Sequence, residues 1–214
     1  MTRYDRRSIA LAVALSALAG YVDANGFLSF GGVFVSFMSG NSTRLGIAVA
    51  RGQWDSVLLI VEVVGLFVVG VILGTLLARR AGQWRKPVIL LLVAALLTIA
   101  AITQDLHLTR LSMGVMLLAM GAENAIFQRG GEVSIGLTYV TGALVRVGQR
   151  VAAIVDGGAR WAWSPYALLW LGLVLGATLG AYVHEAYVLV GLWPAVVFAL
   201  ILSVFAVRIR PRFE

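Results

Sequence analysis

The chain contains no cysteine, which excludes disulfides, thiolate metal sites and cysteine nucleophiles from the outset. Histidine is nearly as scarce. His107 and His184 are the only two, and each stands near an acid, Asp105 or Glu185, beside an apolar run. A solvated residue at a membrane interface suits those positions better than a metal ligand does. Charge is thin as well: 13% of residues are charged, against about a quarter in an ordinary soluble domain. Lysine is almost missing, since sixteen of the seventeen basic residues are Arg. No H-E-x-x-H, P-loop or G-x-S-x-G phrase occurs, and neither histidine belongs to a hydrolytic motif with a serine. No enzyme, cofactor or metal is expected.

What is there is apolar. Hydrophobic residues make up 60% of the 214, and the mean hydropathy is +0.93. A water-soluble core of this size cannot bury that much apolar surface, so an integral membrane protein is expected, with the lipid bilayer as its first partner. The net charge of +7 does not point to nucleic acid. The basic residues flank apolar runs, as cytoplasmic loops do under the positive-inside rule. The start, MTRYDRRSIALAVALSALAGY, resembles a cleavable signal peptide. Gly20 to Ala24 take part in the repeat described next, so a retained first span is the expectation.

Eight apolar stretches can be marked, at 8–28, 33–50, 55–78, 87–104, 109–127, 133–155, 166–183 and 189–207. A spanning helix needs about 20 apolar residues. The stretches at 33–50 and 133–155 are interrupted, each with glycine near its middle and a Ser/Thr-rich approach. They also match each other. A shift of 102 places Ser39-Gly40 on Thr141-Gly142, Phe37 on Tyr139, Arg44 on Arg146 and Gly46 on Gly148. The same shift places Gly70 and Gly74 on Gly172 and Gly176, and a shift of 101 places Gly20 to Ala24 on Gly121 to Ala125. The sequence therefore reads as a duplication, residues 1–105 and 106–214, in one membrane domain.

Charge sets the expected topology. Arg3, Arg6 and Arg7, then Arg79, Arg80, Arg85 and Lys86, then Arg208, Arg210 and Arg212 mark one face as cytoplasmic. An even number of crossings must separate the first two groups, yet three apolar stretches lie between them. The interrupted 33–50 stretch is the one expected to enter and return, and 133–155 likewise. This predicts an all-α polytopic membrane protein of six full transmembrane helices plus two broken, re-entrant segments. With three crossings per half, the repeat is inverted and both termini are cytoplasmic. Eight full spans in parallel halves is the competing arrangement, and it places four basic residues outside.

Matched broken segments in an inverted repeat point to a transporter site near the midplane. Non-helical backbone at that depth is tolerated only inside protein or along a wet cavity. Gly40 and Gly142 are expected to turn the backbone, and Asn41, Ser42 or Thr43 to cap a half-helix running to about Arg51. Helix N-termini favour anionic or strongly polar ligands. The expected solute-binding residues are thus Ser39, Gly40, Asn41, Arg44, Tyr139, Thr141, Gly142 and Arg146. Close helix packing is the plainer reading of the small residues, and it is preferred for Gly70/Gly74 and Gly172/Gly176. Three acids lie at membrane depth: Asp23, Glu123 and Glu62, with Asn25 and Asn124 as polar support. Asp23 or Glu123 would either neutralise Arg44 or Arg146 or carry a coupling proton, and Glu62 would pair or line a cavity.

The phrases GYVDANGFLSFGGVFVSFMSGNSTRLG, GAENAIF and LTYVTGALVRVGQ resemble the YoaK-like family of small bacterial inner-membrane proteins, a domain of unknown function. The likeness covers almost the whole chain. It implies a polytopic bacterial membrane protein and supplies no substrate. From the repeat alone, the expectation is a secondary transporter of a small polar or anionic solute across the inner membrane, with a proton as candidate coupling ion. A non-transporting scaffold docking through G-x-x-x-G faces, or a passive channel, are the alternatives. Self-association into a homo-oligomer is left open.

Overall fold

In the computed structural model of the protein, residues 6–129, 132–133, 140–187 and 191–209 are described. The chain is helical: α1 (Arg6–Ser29), α2 (Met38–Ala50), α3 (Trp54–Ala81), α4 (Arg85–Asp105), α5 (Thr109–Glu123), α6 (Val140–Val155), α7 (Ser164–Ala186) and α8 (Trp193–Val207). A 3-10 turn, Gly82–Trp84, joins α3 to α4, and another, Asn124–Phe127, extends α5. A two-residue hairpin, β1 (Gln128–Arg129) with β2 (Glu132–Val133), follows it. Helices are the natural form of these Leu-, Val- and Ala-rich runs, because each satisfies its own backbone where no water can. By length and composition α1, α7 and the continuous α3–α4 run can cross a membrane. Large apolar side chains such as Leu58, Leu175, Leu179 and Val204 point outward, as a lipid-facing surface requires.

Glycine organises the packing. On α7, Gly172, Gly176 and Gly180 lie against the backbone of Val13, Ala17 and Tyr21 of α1, while Gly20 lies against Leu173 and Ala177. A Cβ at any of these four would collide with the neighbouring helix. The numbers rise together, so α1 and α7 run parallel. The same holds for α3 and α5, where Gly70 meets Leu118, Gly74 meets Ala122 and Gly121 meets Phe67 and Val71. Both G-x-x-x-G pairs are therefore consumed inside the chain, which is the packing role preferred for them. Around these pairs, Leu11, Leu15 and Leu18 of α1, Leu90 and Leu97 of α4, and Met116 and Met120 of α5 form the core, with α8 closing it through Ala199 and Leu202.

Side-chain contacts sort the helix ends into two groups. At one end, Gln104 of α4 donates to Ser29 of α1 (3.4 Å), Trp193 of α8 to Asp105 of α4 (3.2 Å) and Arg110 of α5 to Glu62 of α3 (2.9 Å). At the other, Ser203 of α8 donates to the Pro87 carbonyl of α4 (3.1 Å), and Lys86 lies 5.4 Å from the Phe127 ring. Six helices run between these two ends. The other two behave differently. α2 lies between the last residue of α1 and the first of α3, which share one end. α6 lies between the chain after α5 and the first residue of α7, which share the other.

The break before α2 departs from expectation in two respects. The chain turns at Gly31 and Gly32, whose φ values of 64° and 82° suit residues without a Cβ, and Gly40 is helical. Asn41, Ser42 and Thr43 do not cap, because α2 already begins at Met38. Ser42 and Thr43 instead donate back to the carbonyls of Met38 and Ser39, at 2.8 and 3.2 Å. The backbone entered the helix earlier because Asn41 supports the extended residues from within it.

Candidate solute site

After Gly32, residues Val33 to Phe37 fold back along the final turns of α1. Two side chains hold them. Asn41, fully buried, accepts from the Phe34 N–H (3.2 Å) and donates to the Phe34 carbonyl (2.7 Å), as a neighbouring strand would. Asp23 of α1 accepts through one oxygen, Oδ1, from the N–H groups of Val35 (2.7 Å) and Ser36 (2.8 Å). Backbone that leaves a helix inside a membrane must find such partners. Gly26 gives Val35 room, and Gly40 gives room to the Phe37 ring, since a Cβ at either would strike those side chains.

Beside this strut lies a cavity of about 580 Å³, within the range of small-molecule sites. Its walls are Asp23 and Phe27 of α1, Phe34, Ser36 and Phe37 of the break, Val140, Thr141 and Leu144 of α6, and Trp170 and Leu173 of α7, with Gly20, Ala24, Leu28, Ala177 and Ala181 completing it. Both interrupted stretches thus meet at one hollow. Asp23 is the one charged side chain among these, and most of the lining is apolar.

The residues expected from sequence divide accordingly. Thr141 and Asp23 line the cavity. Gly40 and Asn41 shape the break behind it, and Ser39 is exposed on the first turn of α2. Arg44 reaches the Gly31 carbonyl at 3.3 Å, and Arg146 lies over the Tyr166 ring, 5.6 Å from its centre. Among the described residues neither guanidinium pairs with Asp23 or Glu123, and Arg110–Glu62 is the ion pair found. Gly142 and Gly148 have open space where a Cβ would stand, so close packing does not explain them. Tyr139 lies outside the described residues.

The remaining polar groups form two further settings. Asn25 is fully buried, donating to the carbonyls of Tyr21 (3.0 Å) and Gly180 (3.3 Å), with its oxygen 3.3 Å from His184 Nδ1. His184 is therefore tied to α1 and is not simply solvated. Asn124 donates to the Met120 carbonyl (2.9 Å). Glu123 is fully buried, and neither of its oxygens has a hydrogen-bond partner among the described residues. Sequence reasoning missed the aromatic walls, Phe27, Phe37 and Trp170. A Phe-rich run ahead of the break was the available signal.

Comparison with known proteins agrees with the resemblance drawn from the motifs. A family described as "Protein of unknown function (DUF1275)" matches residues 11–205. The UPF0700 transmembrane protein RA0705 of Rhizobium meliloti (strain 1021) is 36% identical over 206 residues, 96% of this chain and 89% of that protein. The UPF0700 transmembrane protein YoaK of Bacillus subtilis (strain 168) is 29% identical over 140 residues, 61% of each chain. No solved structure matches.

Proposed function

The chain belongs to the DUF1275 family of multi-pass transmembrane proteins, and from that premise we propose that it is a secondary carrier of a small solute. The observation that carries this reading is the cavity lined by both interrupted stretches, through Phe34, Ser36 and Phe37 of the first and Val140, Thr141 and Leu144 of the second. In this reading six helices span the bilayer, and α2 and α6 re-enter from opposite faces as an inverted repeat. The parallel α1–α7 and α3–α5 pairs support it, because they exchange places when the two halves are swapped. Arg6 and Arg7, Arg79, Arg80, Arg85 and Lys86, and Arg208 gather at one end, while Asp55, Asp105 and Glu185 stand at the other together with Arg51 and Arg110. The basic end is assigned to the cytoplasm of a bacterial inner membrane, with both termini there.

The first break lends little support to the anion expected from sequence. That expectation relied on unpaired N–H groups at the first break, and Asp23 already occupies those of Val35 and Ser36. Glu123, buried with no hydrogen-bond partner among the described residues, is the residue proposed to carry a coupling proton. The scaffold reading loses its docking faces, since Gly70, Gly74, Gly172 and Gly176 are covered within the chain.

Purified protein in proteoliposomes should take up a labelled solute saturably. Leu144→Trp, at an exposed wall position, should abolish that uptake, and Glu123→Gln should sever it from an imposed pH gradient. Uptake that never saturates, or that ignores Leu144→Trp, refutes the carrier.

A further inference from the structure

We propose that this cavity selects a small organic cation with an apolar body, an alkyl or aryl ammonium, held between the Asp23 carboxylate and an aromatic wall. The proposal rests on the reading of the cavity as the solute site. Three observations lead to it. First, Asp23 accepts two backbone N–H bonds at 2.7 and 2.8 Å through a single oxygen, and bonds of this kind favour the ionised carboxylate. These donors are neutral, and among the described residues the negative charge has no counter-ion and no Lys or Arg lines the cavity. Arg44 is engaged with the Gly31 carbonyl and Arg146 with the Tyr166 ring. A charge in an apolar, membrane-depth hollow is costly unless paired, and a cationic solute supplies the pair.

Second, the walls carry the matching surface for such an ion. Phe27 and Phe34 stack tilted with centres 4.8 Å apart, and Phe34 meets Phe37 edge-on at 5.3 Å. Trp170 contributes from α7. Aromatic faces around a carboxylate favour ammonium groups, above all those with methyl substituents, through cation–π attraction. Third, Leu28, Leu144 and Leu173 line the remainder and suit an alkyl or aryl body. An inorganic cation would find too few oxygens here to replace its water shell. An anion would face Asp23 with nothing to offset it.

The test uses the full chain in nanodiscs and radiolabelled benzyltrimethylammonium as probe. Saturable binding is expected, weakened at least about tenfold in Asp23→Asn and severalfold in Trp170→Leu. Neopentylbenzene, the uncharged analogue of the same shape, and phenylacetate should each displace the probe at least about tenfold less well than unlabelled cation. If Asp23→Asn does not fold, Trp170→Leu and Leu144→Trp carry the same comparison. Equal displacement by neopentylbenzene means a merely greasy cavity and overturns the proposal, as does unchanged affinity in a folded Asp23→Asn. Cation binding with no uptake by proteoliposomes supports this inference while removing the carrier. Uptake of phenylacetate that Leu144→Trp blocks, with no cation binding, overturns the inference and leaves the carrier standing.

Discussion

Asn41 reads in the sequence as a ligand-binding residue, and in the fold it is a strut. Its amide pairs with both backbone groups of Phe34, and no solute is needed to explain it. Asn41→Ala would leave a buried N–H and C=O unpaired, at about 1–3 kcal/mol each. The melting temperature in detergent should fall clearly, while Ser39→Ala, at an exposed position, should leave it nearly unchanged. Glycines make a second residue-scale contrast. Gly176 touches the backbone of Ala17, whereas Gly142 has nothing within 4 Å of a would-be Cβ. Gly176→Val should therefore destabilise by roughly 2 kcal/mol or more through overpacking. Gly142→Ala should be neutral or stabilising by up to about 1 kcal/mol, since it only restricts a helical backbone. Thermal unfolding of the two variants side by side decides whether the repeated glycines share one role.

At the scale of elements, the helical segments were legible because lipid leaves an apolar run few alternatives to a helix. The stretches marked from hydropathy coincide closely with α1, α3, α4, α5 and α7. The interrupted character of 33–50 was legible too, through its cluster of small polar residues. What could not be read was where the interruption falls. Gly40 attracted the turn in the sequence, yet the turn is made by Gly31 and Gly32, and Gly40 serves the Phe37 ring. That choice depends on Asp23 and Asn41 reaching residues 12 and 7 positions away, contacts that no local pattern encodes. The cavity's aromatic wall was hidden for the same reason: Trp170 of α7 and Phe37 of the break come to one cavity only in three dimensions. The re-entrant course proposed for α2 and α6 yields a topological prediction. With no native cysteine, single cysteines at Gln53, Gln83 and Ala159, all exposed, can be probed with an impermeant maleimide. Gln83→Cys and Ala159→Cys should label from one face and Gln53→Cys from the other. Eight full spans would place Ala159 with Gln53 instead.

For the whole molecule, two parallel helix pairs sealed by glycine contacts form a frame, and two short helices flank it. α2 and α6 bury little of themselves, Asn41 and Ala48 in one and Ala143 in the other. Elements with so few buried contacts move at lower cost than the frame they lean on, which is what a carrier asks of the walls of its site. The central claim is that the break before α2 and the start of α6 both line one solute cavity. The most direct measurement joins them. Phe37→Cys and Leu144→Cys, combined in the cysteine-free chain and reconstituted in proteoliposomes, are treated with a short bis-maleimide that carries a reducible disulfide. The account predicts an intramolecular cross-link that stops uptake and restores it on reduction. A pair that does not cross-link, or a cross-linked protein that transports at the full rate, would contradict it.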